Sequence, residues 1–136
     1  MKKIAIAILF LTVAFAINSC KKKECPKPEV WAPGKWKATE WYDHGVLQDP
    51  SDPEVACYLQ TNFIFGADGL GKLRRFVYNP GTCEMFTIDF DWAENLDKKF
   101  LYIKIDRGPF IEFTYENKNK FYLLDDQQQK YVFERQ

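Results

Sequence analysis

The sequence predicts an all-β protein whose eight antiparallel strands run up and down and close into a barrel. Apolar residues alternate with polar ones over several short runs, which is the pattern of half-buried strands. Turn-forming residues separate these runs. Phe, Trp and Tyr make up 17% of the chain, and aromatic side chains are enriched in strands. No segment shows a convincing helical period, although residues 52–56 could form one short turn of helix.

The alternation is clearest over residues 84–92, where four apolar side chains share one face: Phe86, Ile88, Phe90 and Trp92. The strongest turn signal is Asp68-Gly69, because this pair supplies the positive φ of a tight hairpin. The predicted strands span 34–42, 59–66, 70–78, 84–93, 99–106, 109–116, 119–125 and 129–135. A meander of this kind removes its exposed edges by closing into a barrel. A β-sandwich is the alternative that the sequence leaves open.

Residues 1–19 have the features of a secretion signal. Two lysines follow Met1, and a nearly unbroken apolar run then extends to Ile17. This run is too short to span a bilayer comfortably, since a spanning helix needs roughly 20 residues. The stretch Ile17-Asn18-Ser19-Cys20 resembles a bacterial lipobox, in which the cysteine is acylated and becomes the first mature residue. An ordinary secretory signal with a coincidental cysteine is the alternative.

The segment 20–32 is interpreted as a lipidated cysteine followed by a tether rich in Lys and Pro. Stable attachment to a membrane needs more than one acyl chain, and a triacylated Cys20 would meet that need. Lys21 after the anchor suggests the outer membrane, by resemblance to the enterobacterial sorting pattern only. One domain is then expected over 33–136. The predicted partners are the membrane through Cys20 and a small apolar ligand, while no protein partner can be named.

Charge and motifs argue against several classes of function. The predicted mature chain is close to neutral and has no basic stripe, so nucleic acid is not an expected partner. No nucleophile motif accompanies the only histidine, His44, beside Asp43, so the protein is not expected to be an enzyme. His44 is interpreted as an exposed turn residue. No spacing of Cys, His or acidic residues matches a metal site or a calcium loop, and no cofactor is expected.

The cysteines predict one disulfide bond. Cys57 and Cys83 lead into the second and fourth predicted strands, and these two points lie at the same end of a meander barrel. An exported chain meets oxidising conditions, so a Cys57–Cys83 bond is expected, with Cys25 free or paired between molecules.

The order of several motifs over 33–136 resembles the small lipocalin-like domains of Bacteroidetes-type bacterial lipoproteins. These motifs are Gly34-Lys35-Trp36-Lys37-Ala38, the long loop to Cys57, the run from Phe63 to Gly71, Cys83, Asp91-Trp92 and the aromatic-rich last strand ending in Arg135. The resemblance implies a barrel that is open at one end. It also implies that Trp36 closes the other end with Arg135 packed across it, an arrangement stabilised by a cation–π contact.

Two classes of function follow from these observations. In the first, a lipid-anchored envelope module holds a small apolar ligand among inward aromatic side chains. In the second, the barrel is solid, and its outer surface or loops bind a protein or an envelope component. The long loop 43–56 is expected to cover the mouth as a lid, and long loops on rigid scaffolds often bind ligands. The candidate ligand-binding residues are Trp41, Phe86, Phe90, Trp92 and Phe113.

Overall fold

The structure is a computed structural model that describes residues 28–136. The predicted signal, the acylation site Cys20 and the thiol of Cys25 lie outside these residues. None of the helices in the described part of the chain is long and apolar enough to cross a membrane.

The chain forms a closed barrel of eight antiparallel strands, as the sequence predicts. One two-stranded extension, one short helix and short turns complete the domain. The strands pair in chain order, and the last strand pairs with the first to close the sheet. The elements are β1 (Gly34–Asp43), β2 (Val46–Leu47), α1 (Pro53–Tyr58), β3 (Asn62–Phe65), β4 (Leu70–Asn79), β5 (Thr82–Asn95), β6 (Phe100–Lys104), β7 (Phe110–Asn117), β8 (Lys120–Leu124) and β9 (Gln129–Arg135).

Strand β3 is much shorter than the predicted strand 59–66. It pairs with β1 only over Gly34–Lys37, and β1 continues beyond it along β9 as far as Asp43. The walls formed by β1 and β4 therefore separate above β3. Thr61 holds them where they part, because its carbonyl accepts from the amide of Ala38 and its hydroxyl accepts from the amide of Phe76, at 2.9 and 3.1 Å.

The predicted long loop 43–56 contains more regular structure than the sequence suggested. Its first residues fold back as β2 against the end of β1. Helix α1 then begins after Asp52, whose side chain accepts from the amide of Glu54 at 2.8 Å. Pro53 at the first helical position also favours a helix that begins here, since its fixed φ suits a helix. The predicted turn of helix at 52–56 is thus present and extends to Tyr58.

The lower half of the barrel is filled with side chains. Trp36, Leu101, Ile103, Tyr115 and Phe121 are among the core side chains with almost no exposure. The packing is tight enough that Gly71 on β4 cannot carry a side chain, because a Cβ there would lie 2.3 Å from the ring of Phe90. Eight strands enclose an interior just wide enough for side chains or one small ligand, and this half holds side chains.

The β4–β5 hairpin is longer than its neighbours. Strands β4 and β5 pair from Leu70–Asp91 to Asn79–Thr82, whereas β6 pairs with β5 only from Asp91 to Asn95. In the described part of the chain, no strand pairs with the outer edge of β5 between Thr82 and Phe90. The upper part of the hairpin therefore rises above the rest of the wall, on the side of the mouth.

Candidate functional site

The upper half of the barrel contains a cavity of about 500 Å³. It opens at the end where the turns after β1, β4, β6 and β8 lie. Its walls are mostly apolar, with side chains from both sheet and helix. The lining residues are Trp41, Glu54, Tyr58, Thr61, Phe63, Leu73, Arg75, Phe76, Val77, Tyr78, Ile88, Ile103, Ile105, Ile111, Phe113, Leu123, Gln129, Tyr131 and Phe133.

Aromatic rings form the bottom of this cavity. Phe63 packs edge-on against Phe113 and Phe133, with ring centroids 5.6 and 5.0 Å apart. Phe121 packs against all three from below. Edge-to-face pairs of this kind add stability beyond the area that they bury. The cavity thus ends on a rigid layer of rings in the middle of the barrel.

A second group of rings forms one wall of the cavity. Trp41 of β1, Tyr58 of α1 and Tyr131 of β9 lie with centroids 5.1–5.9 Å apart. Helix α1 therefore completes the wall where β1 and β4 separate. The buried indole nitrogen of Trp41 has no hydrogen-bond acceptor among the described residues, although buried polar groups are normally paired.

Two charged residues line the cavity, one of each sign. Arg75 lies on β4, and Glu54 lies in the first turn of α1. Among residues 28–136, neither side chain has an ion pair or hydrogen bond, including with the other. Burial raises the pKa of the Tyr58 hydroxyl well above its ordinary value, and the positive charge of Arg75 opposes this rise. Burial also raises the pKa of the Tyr131 hydroxyl, and the positive charge of Arg75 again opposes the rise.

The rim of the mouth carries exposed apolar side chains. Phe86 on the tall β4–β5 hairpin is 49% exposed, and Phe110 at the start of β7 is 66% exposed. Val46, Leu47, Met85 and Leu124 are exposed near the same end. Single exposed apolar residues are ordinary, but several around one opening are typical of a binding site.

The opposite end of the barrel is closed by the predicted pair. The guanidinium carbon of Arg135 lies 4.5 Å from the centre of the Trp36 ring. Arg135 also donates to the carbonyl oxygens of Pro33 and Trp31. Gly34 has a φ of 128°, and a Cβ at this position would lie 2.9 Å from the Arg135 guanidinium. A glycine is therefore required where the arginine crosses the first strand.

The chain before β1 completes this closed end through Glu94, which the sequence did not single out. The Glu94 carboxylate accepts from the amides of Trp31 and Ala32 and from the Tyr115 hydroxyl, at 2.8, 3.1 and 2.8 Å. Ala32 is fully buried and accepts from the indole nitrogen of Trp36 at 2.8 Å. The end of the predicted tether 20–32 therefore packs into the barrel, because it supplies the last layer of its core.

The structure separates the five candidate ligand-binding residues. Trp41 and Phe113 line the cavity. Phe90 and Trp92 pack against Phe65 below it, with centroids 5.2 and 5.8 Å away. Phe86 lies outside the lining, on the rim. The alternation along β5 gave the face correctly but not the height of each side chain in the barrel, and height decides which residues reach the cavity.

The Cys57–Cys83 disulfide is confirmed, with Cα atoms 5.6 Å apart. Cys57 lies on α1 rather than at the start of a strand, so the helix supplies the approach that the bond needs. The bond joins α1 to the base of the β4–β5 hairpin turn. It thereby fixes the helical wall of the cavity to the sheet.

The remaining polar motifs do not form a second site. His44 lies in an exposed turn, with Nδ1 2.7 Å from the carboxylate of Asp43. Within the described residues, no group of three or more His, Cys, Asp or Glu side chains could hold a metal ion. A wider groove of about 760 Å³ lies outside the wall near Lys72, Asp89 and Lys104. It is open and charged, as a solvated face is.

No protein-family model, curated protein or solved structure matches this chain. Fold and site define the class of protein as a β-barrel with one closed end and a mostly apolar cavity at the other.

Proposed function

We propose that this protein is a lipid-anchored module of the bacterial cell envelope that holds a small apolar ligand in the upper half of its barrel. The cavity of about 500 Å³ above the ring layer carries the proposal. Pockets for small molecules have volumes of roughly 300–1,000 Å³ and mostly apolar walls. A solid barrel would have favoured binding by its outer surface alone.

The entry of the chain into the barrel supports the anchoring part of the proposal. Trp31–Pro33 cross the closed end, so an anchor at Cys20 would attach to the barrel there and leave the mouth free. The lipobox-like Ile17–Cys20 stretch and the likeness to lipocalin-like lipoprotein domains agree with this arrangement. The outer membrane is the proposed location.

Ligand binding can be tested with a neutral apolar dye, N-phenyl-1-naphthylamine, whose fluorescence rises on entering an apolar cavity. Leu123→Trp should abolish the rise, because Leu123 lines the cavity and a larger ring would fill it. Leu70→Trp is the matched control, since Leu70 is an exposed leucine at the closed end of the barrel. Failure of the dye to bind wild-type protein, or equal binding by both variants, would contradict a cavity ligand.

Anchoring can be tested separately by labelling cells with radioactive palmitate. The wild-type protein should be labelled and should fractionate with the outer membrane, whereas Cys20→Ala should carry no label. Cys25→Ala is the matched control, because it removes a nearby thiol and leaves the lipobox intact. Label on the Cys20→Ala protein would contradict the anchor, and recovery in the inner membrane alone would contradict the location.

A second candidate function is self-association through the free edge of β5. Nine residues of this edge, Thr82–Phe90, have no partner strand in the described chain. Long exposed edges are templates for strand addition. Two antiparallel copies centred on Phe86 would place Glu84 opposite Ile88 and Met85 opposite Thr87. No like charges would then face each other, so a second copy of this chain fits the edge.

Sedimentation analysis of the purified domain tests this second candidate. Wild-type protein should form dimers at high concentration, and Phe86→Lys should be monomeric because it places two charges opposite each other at the symmetry axis. Leu70→Lys is the control, since Leu70 is similarly exposed but lies at the closed end. A wild-type protein that stays monomeric would remove self-association through β5.

A further inference from the structure

We propose that the ligand of the cavity is an anionic amphiphile, whose apolar chain lies on the ring layer and whose carboxylate or phosphate group binds Arg75 at the mouth. This inference rests on the proposed function, since it names the chemistry of a ligand in the same cavity.

The position of Arg75 on β4 directs its side chain toward the inside of the barrel. Arg75 pairs with Phe86 across the hairpin, and Leu73 of the same strand pairs with Ile88. Residues two apart on a strand, and residues directly opposite each other, point to the same face. Leu73 and Ile88 both line the cavity, so Arg75 faces inward as well. It lies above Leu73, nearer the mouth.

The guanidinium group of Arg75 is available to a ligand. Arg75 is exposed to solvent at the mouth, so its charge does not need a partner within the fold. In the described part of the chain, Arg75 has no ion pair and no hydrogen bond. The other inward cation of the barrel, Arg135, bonds three carbonyl oxygens and covers a ring. The five N–H donors of Arg75 are not used within residues 28–136, so they are available to a group that comes from outside.

The surroundings of Arg75 favour an amphiphile over a compact anion. Below it lie apolar side chains such as Leu73, Ile103 and Phe113, which offer nothing to a polar group. Tyr58 lines the same cavity, and the positive charge of Arg75 acts on its hydroxyl. This hydroxyl has no hydrogen-bond partner among residues 28–136 and can donate to the same anion. An apolar body with one anionic end satisfies both parts of the cavity. Glu54 in the same lining would discriminate against a second anionic group.

Three probes with the same apolar chain separate the contributions of chain and head group. Dodecanoate, dodecanol and dodecyltrimethylammonium, each below its micelle concentration, would compete with N-phenyl-1-naphthylamine for the wild-type domain. Dodecanoate should bind about tenfold more tightly than dodecanol, as one charge-assisted contact at a partly open site provides. The cationic probe should bind most weakly. Dodecyl phosphate in place of dodecanoate would show which anionic head is preferred.

Variants of two adjacent arginines make the test specific. Arg75→Gln should remove the preference for dodecanoate and leave the affinity for dodecanol unchanged. Arg74→Gln should keep the preference, because Arg74 is the next residue on β4, faces outward and is absent from the lining. Urea unfolding of both variants would verify that they fold.

The outcomes distinguish this inference from the proposed function. Equal affinities for dodecanoate and dodecanol, tightest binding of the cation, or an unchanged preference in Arg75→Gln would overturn the anionic head group. The cavity would still bind apolar ligands in each of those cases. Binding of none of the probes, with no dye fluorescence, would overturn both.

Discussion

The two ends of the barrel are built from the same strands and differ in how their polar groups are paired. At the closed end, Glu94 accepts three hydrogen bonds, and Arg135 bonds carbonyl oxygens of the entering chain. Among the described residues, the indole nitrogen of Trp31 is the one buried side-chain polar atom at that end without a hydrogen-bond partner. At the open end, the exposed Arg75 side chain and the buried Trp41 indole nitrogen have no partner among residues 28–136.

This difference separates stability from binding within one small domain. Buried groups that are paired hold a structure, and a group left without a partner costs free energy unless a ligand or water satisfies it. The closed end therefore stabilises the barrel, while the open end has polar groups that are available to a ligand.

The largest expected difference is between two tryptophans on β1. Trp36→Ala should lower the free energy of unfolding by about 3–5 kcal/mol, as truncation of a large aromatic side chain in a core does. Trp41→Ala should cost much less, because Trp41 is half-buried against a cavity and its indole nitrogen is unpaired. Urea unfolding of the two variants measures both losses. Equal losses would show that the two ends are packed equally well.

Removal of the disulfide should have the next largest effect. The bond closes a loop with a sequence separation of 26 residues, which corresponds to about 3.5 kcal/mol in the chain-entropy model. A Cys57→Ala, Cys83→Ala double variant should lose stability of this order and should also bind the dye more weakly, since α1 is then free to leave the cavity wall. Reductant should affect the wild-type protein and leave the double variant unchanged.

Arg135→Ala should cost about 1–3 kcal/mol, from the lost cation–π contact and the lost packing of its methylenes. The double variant with Trp36→Ala should lose less than the sum of the single losses, because the two side chains share one interaction. Urea unfolding of the four proteins gives the coupling. Strict additivity would mean that the contact at 4.5 Å contributes nothing to stability.

The smallest change that tests the comparison is the loss of one hydroxyl oxygen from a tyrosine at each end of the barrel. Tyr115→Phe should cost about 1–2 kcal/mol at neutral pH, because it removes a hydrogen bond to the Glu94 carboxylate. Tyr58→Phe should be close to neutral, since residues 28–136 give its hydroxyl no such bond. A larger loss for Tyr58→Phe, measured by urea unfolding, would contradict the assignment of roles to the two ends.

The same tyrosines make stability depend on alkaline pH. Burial raises the pKa of both hydroxyls above their ordinary value, and for Tyr115 the bond to Glu94 raises it further. The folded state therefore keeps these protons more tightly than the unfolded state does. Their contribution is complete below about pH 10 and decreases as the pH rises above it. Stability should therefore fall progressively as the pH rises above about 10, and less steeply in either Phe variant.

Local sequence determined the strands and most of their ends. Asp68-Gly69 forms the predicted hairpin turn, where Gly69 has a φ of 83°, because turn conformation depends on a few adjacent residues. The closing pair Trp36 and Arg135 was also predictable, since a meander that closes must bring its first and last strands together. The same reasoning about strand ends placed Cys57 near Cys83.

Only the tertiary structure decided where the barrel is filled and where it is empty. The height of a side chain depends on strand register and on the lengths of neighbouring strands, which pairing sets over long sequence distances. The short β3 opens the wall that α1 completes, and the early end of β6 leaves Phe86 on a free edge. Glu94 binds Trp31 and Ala32, some 60 residues away, through contacts that no local pattern encodes. Arg75 likewise resembles any charged strand residue in the sequence, and only the closed barrel places it at the mouth of an apolar cavity.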